Sequence, residues 1–156
     1  MLINEDPTYE ERTGLVVETM SRLARVCIMA SRAYRVAAEH AEDEDVAEAL
    51  SVLAEDRAMM ADELRSGWQG FAADASTDMV EVQETVEPIE KALDDGGTGS
   101  LLMACEEAET AIADAYHRAL EQEGLPPDAR ERLEQHLEIL EEGREELIEL
   151  SHARVG

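Results

Sequence analysis

Apolar residues recur in alternating steps of three and four along four long stretches of the chain. The first runs Val16, Met20, Leu23, Cys27, Ala30, Tyr34 and Ala37, and the second Val46, Leu50, Leu53, Arg57, Met60 and Leu64. The third runs Leu102, Cys105, Glu109, Ile112, Tyr116 and Ala119, and the fourth Leu133, Leu137, Leu140, Arg144, Leu147 and Ser151. Spacing of this kind is the buried seam of an amphipathic helix, so four long helices are predicted. A weaker stripe, Met79, Val82, Val86, Ile89 and Leu93, is interrupted by Pro88. It predicts a short helix, kinked or restarted at the proline.

The residues between the stripes fix the connections. Glu42-Asp43-Glu44-Asp45 puts carboxylates at the start of the second helix, where the helix dipole favours them. Ser100, after Gly96-Gly97-Thr98-Gly99, is a candidate N-cap for the third, and Gly124-Leu125-Pro126-Pro127-Asp128 breaks the chain before the fourth. Short links make antiparallel hairpins of helices one and two and of three and four. The expectation is one domain over residues 1–156, with hairpins at 14–67 and 100–153 joined by a long crossover at 68–99 that holds the short helix. Two hairpins joined by one long crossover make the ferritin-like variant of the four-helix bundle.

Composition agrees with an all-α chain: aromatics are only 3% of the 156 residues. An apolar fraction of 44% sets the chain apart from an acidic disordered tail. The formal net charge of −25 excludes a nucleic-acid phosphate binder. The longest unbroken apolar run, Val26 to Ala30, is far short of a membrane span. Two cysteines, and an opening Met1 to Asp6 without a basic region and apolar core, predict a reducing, cytoplasmic setting.

An internal repeat sets Ala33-Tyr34-Arg35-Val36-Ala37-Ala38-Glu39 against Ala115-Tyr116-His117-Arg118-Ala119-Leu120-Glu121. Continued with a two-residue shift at the turn, it pairs Leu53 with Leu137 and Arg57 with Glu141. On Cys27 to Glu39, Ala54 to Leu64 and Ala104 to Leu120, the chain resembles the ferritin-like superfamily, including the rubrerythrins. It is most similar to an uncharacterised bacterial family of small ferritin-like proteins with no assigned function. The resemblance covers roughly residues 14–68 and 100–152.

Diiron members of that superfamily place a Glu seven residues before the Tyr on the first and third helices, and Glu-x-x-His on the second and fourth. Carried over, the resemblance puts Cys27 at the first position, Arg57 and Met60 at the second motif, Glu109 at the third position, and Glu141 and Arg144 at the fourth motif. Two of six ligands remain and two positions are cations, which implies a degenerate diiron site without metal or other cofactor. The alternative is iron or manganese on an unconventional centre of Glu106, Glu109, Glu141 and Glu145, with Cys27 or His136 nearby.

The stripes themselves place Arg57, Glu109 and Arg144 on buried seams, with Glu141 flanking. Buried charges are costly alone, so the four are expected to contact one another in a neutral cluster. A small-anion site on Arg57 and Arg144, or arginines snorkelling to the edge, are the other readings. Cys27 and Cys105 read as buried structural thiols, with a redox pair or soft-metal site as the alternative. Met20, Met29, Met59 and Met60 read as core packing rather than a copper site, and His40, His117, His136 and His152 as surface or capping residues. Arg22, Arg25, Arg32 and Arg35, with Arg12, form a basic stripe expected to face the acidic fourth helix or a second subunit. The expected role is structural or interaction-based rather than enzymatic, in a homodimer whose further protein partner the sequence does not name.

Overall fold

The computed structural model describes residues 9–66 and 80–155, all in helices and short links, with no strand among them. The helices are α1 (Tyr9–His40), α2 (Glu44–Ser66), α3 (Val80–Asp95), α4 (Thr98–Leu120) and α5 (Pro127–Val155). The stretch 68–79 of the expected crossover, Met79 of its stripe and the Arg12 side chain lie outside the described residues. No described helix is long and apolar enough to cross a membrane.

Local chemistry sets several of the boundaries. The Asp43 carboxylate accepts the Asp45 backbone N–H at 2.9 Å, capping a first turn that carries Glu44 and Asp45. Pro127 occupies the first position of α5, where its missing N–H is no loss. Gly96 (φ 76°) and Gly124 (φ 82°) make the left-handed turns that end α3 and precede α5. The sequence expectation for α4 is corrected: Gly97 is its N-cap, without a side-chain bond, and Ser100 lies inside the first turn.

α3 is the short helix expected in the crossover, and it runs through Pro88 as one helix without restarting. Proline there cannot donate to the preceding turn. Val82, Thr85, Ile89 and Ala92 are nevertheless buried, and the Thr85 hydroxyl donates to the Glu81 carbonyl at 2.8 Å. Packing of this face outweighs the lost bond.

α1 packs on α2, α3 and α4, while α5 packs on α4 and α2. Bonded pairs Thr19–Gln122, Cys27–Tyr116 and Tyr34–Glu109 run in opposite order along α1 and α4, which are therefore antiparallel. α3 starts where Arg22 meets Glu81 and ends near His40 and Ala41, so it runs parallel to α1. Its 16 residues, about 24 Å of helix, carry the chain from one end of the bundle to the other. That traverse lets α4 begin at the far end.

Every predicted seam position on α1, α2 and α4 is buried. On α5 the seam is Ala129, Leu133, His136, Leu140, Gly143 and Leu147 instead; Leu137 is half-buried and Arg144 exposed. The α2–α5 correspondence of the repeat thus needs a one-residue shift, not two. Arg57 then matches Leu140, Met60 matches Gly143, and Leu53 matches His136.

Candidate functional site

The middle of the bundle holds a charged residue pair instead of hydrocarbon. Arg57 (α2) and Glu109 (α4) arrive there because each sits on its helix's apolar stripe, and their side chains are wholly buried. Arg57 Nη2 and Nε donate to Glu109 Oε1 and Oε2 at 2.5 and 3.1 Å, a bidentate ion pair. The remaining nitrogen, Nη1, points at the Met60 sulfur at 2.8 Å. Tyr34 (α1) donates its hydroxyl to Glu109 Oε2 at 2.6 Å. Burial alone would pull the Arg57 guanidinium down, but the charge and hydrogen bonds of Glu109 hold it above its ordinary value. The Tyr34 phenol is pushed well up, first by burial and then by the Glu109 charge.

Space for this pair comes from α5. A Cβ added at Gly143 would stand 2.8 Å from Glu109 Oε1, 2.8 Å from Leu53 Cδ2 and 2.9 Å from Arg57 Nη2. Only glycine lets the α5 backbone approach the ion pair this closely.

A second chain of contacts begins beside the first. Cys27 Sγ (α1) is 3.4 Å from Tyr116 Oη (α4), which is 2.8 Å from His136 Nδ1 (α5). His136 Nε2 is 3.1 Å from Glu63 Oε1 (α2), and Arg132 donates to Glu63 Oε2 at 2.8 Å. Burial lowers His136 below its ordinary value even though Glu63 works in the opposite direction. Tyr116 is raised well above the usual phenol range by burial, with Cys27 adding to it. Burial likewise pushes the thiols up, Cys27 to about 11 and Cys105 to about 12, the second helped by the Glu109 charge. Both thiols are free, buried and protonated at neutral pH.

The two chains mirror each other. Tyr34 of α1 reaches the residue seven before Tyr116 on α4, and Tyr116 reaches the residue seven before Tyr34 on α1. One of those two positions is a carboxylate and the other a thiol.

Of the residues singled out from sequence, Cys27, Arg57, Met60 and Glu109 share this centre. Glu141 and Arg144 do not: both are exposed on α5, so the expected four-residue cluster is corrected to an Arg57–Glu109 pair joined by Tyr34. Leu133, Leu140 and Leu147 belong equally to two interleaved stripes, and Gly143 takes the inward place because a side chain there would strike the ion pair. Arg144 instead borders a surface groove of about 390 Å³ with Glu106 and Met103. Arg57 turns Nε and Nη2 to Glu109 and Nη1 to Met60, with its side chain wholly buried. Glu145 is exposed and Glu106 half-buried, which leaves Glu109 without the other carboxylates of the unconventional centre. Among the described residues, no group of three or more His, Cys, Asp or Glu side chains is placed to hold a metal ion.

Three further expectations change. His136 is buried and doubly hydrogen-bonded, whereas His40, His117 and His152 are exposed. Met59 is exposed while Met60 and Met20 are buried. The basic stripe does not face α5, because α1 packs on α2, α3 and α4; Arg22 pairs with Glu81 of α3 at 3.0 Å. Tyr34, Tyr116, Glu63 and Gly143 were missed as site residues. The signals were the two tyrosines seven residues after Cys27 and Glu109, and a lone glycine inside a glutamate-rich helix.

Fold and site together define an all-helical bundle with an ionic, hydrogen-bonded middle. The chain belongs to the family described as a domain of unknown function, DUF2383, whose model matches residues 15–122. That span includes Arg57, Glu63, Glu109 and both buried tyrosines and ends before α5. No curated protein and no solved structure matches the chain.

Proposed function

We propose that this chain is a ferritin-like bundle that has exchanged a diiron centre for an ion pair and acts as a structural or interaction protein in the cytoplasm. The single observation carrying this reading is Arg57, bonded through two nitrogens to Glu109 at mid-bundle. A diiron site needs about four carboxylates and imidazoles converging on two cations. Here the only carboxylate at the centre among the described residues is neutralised by a guanidinium, and on this reading Leu140 and Gly143 take the places where the fourth helix would supply ligands. These residues do not fit two metal ions. The order of helix neighbours, α1 beside α4 and α2 beside α5 with α3 as crossover, and the mirrored tyrosines support the ferritin-like ancestry.

Charge distribution supports self-association. Arg32 and Arg35 on α1 are exposed and have no carboxylate partner among the described residues. Glu131, Glu134, Glu138, Glu141, Glu142, Glu145 and Glu149 line the exposed side of α5, out of reach of α1 in the same chain. A second copy brings the two together.

Protein purified without chelator and analysed by inductively coupled plasma mass spectrometry, with sedimentation velocity on the same sample, tests both parts. Metal far below one ion per chain and a dimer that dissociates in high salt are expected. Stoichiometric iron, manganese or zinc would overturn the metal-free reading, and a monomer at low salt would overturn self-association.

A further inference from the structure

The buried polar chain that ends on Cys27 has a direction, and the direction gives it chemistry. Glu63 is a carboxylate and only accepts, so the 3.1 Å contact requires a proton on His136 Nε2. Neutral His136 then has a bare Nδ1, which must accept from the Tyr116 hydroxyl at 2.8 Å. With its own proton engaged, Tyr116 Oη is left to accept from the Cys27 thiol. Every proton in the chain is thereby assigned, and the phenolic one points at the unprotonated lone pair of His136 Nδ1.

Removing an electron from a buried phenol creates a radical cation that the apolar core disfavours, unless the proton leaves with the electron. Tyr116 has an acceptor for that proton. The geometry points to Tyr116 as a redox-active tyrosine: a one-electron oxidant takes its electron, its proton crosses to His136 Nδ1, and Glu63 holds the imidazolium that results. The balance is one electron to the oxidant and one proton to the imidazole, leaving a neutral phenoxyl radical. A one-electron reductant reverses both. The oxidant's class is a one-electron acceptor stronger than the tyrosyl couple, such as a ruthenium(III) polypyridyl complex. It acts from the surface, since the electron can tunnel where the molecule cannot enter.

Tyr34 is the internal contrast. Its hydroxyl also donates to a buried base, Glu109, but that carboxylate neutralises Arg57. Protonating Glu109 would leave the guanidinium buried and unpaired, which the core strongly disfavours. His136 has no such obligation. The groups facing it are Tyr116, Glu63, Arg132 and, at longer range, Arg57; the two arginines oppose its charge and Glu63 favours it. Glu63 is about one-third exposed, so solvent helps it carry the new cation. This assignment is independent of whether the bundle ever bound metal.

The test is flash photolysis with ruthenium(II) tris(bipyridine) and a sacrificial quencher, read by electron paramagnetic resonance and transient absorption. Substituting Tyr9→Phe and Trp68→Phe in the full chain leaves Tyr34 and Tyr116 as the only tyrosines and removes the tryptophan. A tyrosyl signal is expected at neutral pH that persists in Tyr34→Phe, disappears in Tyr116→Phe, and forms more slowly in deuterium oxide. His136→Gln removes the acceptor and should slow radical formation by about a hundredfold, the lower end of what a positioned proton acceptor contributes. Fluorotyrosine at position 116 should alter the hyperfine pattern, a readout that does not depend on losing the hydroxyl. No tyrosyl signal, a signal residing on Tyr34, or a rate indifferent to His136 would overturn the assignment.

Discussion

A single carboxylate holds the centre of this molecule. Glu109 accepts from Arg57 twice and from Tyr34 once, and it sits where water cannot replace any of these partners. Truncation therefore exposes the asymmetry of buried ion pairs: removing one member leaves the other charged and alone. Glu109→Ala is expected to destabilise by about 3–5 kcal/mol, read from urea midpoints. Replacing the pair together, Arg57→Met with Glu109→Leu, removes both charges and should recover most of that loss. A double variant no more stable than Glu109→Ala would mean that packing around Tyr34, not the charges, sets the cost.

At the level of elements, α5 is the helix whose placement depends most on one residue. Gly143→Ala raises helix propensity by about 1 kcal/mol in an exposed helix. Here the added methyl meets a carboxylate fixed by three hydrogen bonds, a packed Leu53 and the Arg57 guanidinium. Overpacking of this kind costs about 1–3 kcal/mol, so a net loss in thermal midpoint is expected. Glu142→Ala, one residue earlier and exposed, should be neutral or slightly stabilising, which isolates the steric cause. This helix also shows how far the sequence could be read. Strong apolar residues fixed the seams of α1, α2 and α4, and with them the positions of Arg57 and Glu109. On α5 the leucines at 133, 140 and 147 serve two stripes equally, and the tie is broken by a glycine whose value lies in having no side chain. The tyrosines were legible as core, but not their hydroxyl partners. Those depend on which helices stand side by side, and no periodicity within one helix carries that.

For the whole molecule, the buried titratable groups bound the pH range over which the bundle is stable. His136 is depressed in the folded state, first by burial, so the unfolded chain binds its proton more readily. Its contribution is complete above the ordinary histidine value of about 6.5 and declines as pH falls through and below it. At the alkaline side the order reverses. Cys27 and Cys105 ionise only near 11 and 12 when folded, against about 9 for an ordinary thiol, and both buried tyrosines are raised as well. Their contribution is complete below the ordinary thiol value and is lost as pH rises toward those folded values. A plateau from about pH 6.5 to 9 is therefore expected in the denaturant midpoint, with a fall on each side. The two sides separate by substitution. His136→Gln should flatten the decline just below pH 6.5 relative to the parent, and Cys27→Ala with Cys105→Ala should weaken the alkaline one. Both slopes are local effects of buried groups, so they should survive in 0.5 M salt, whereas repulsion among the surface glutamates of a chain carrying −25 should be largely screened there. A pH profile that collapses to a flat line in high salt would assign it to surface charge and not to the buried thiols, tyrosines and imidazole.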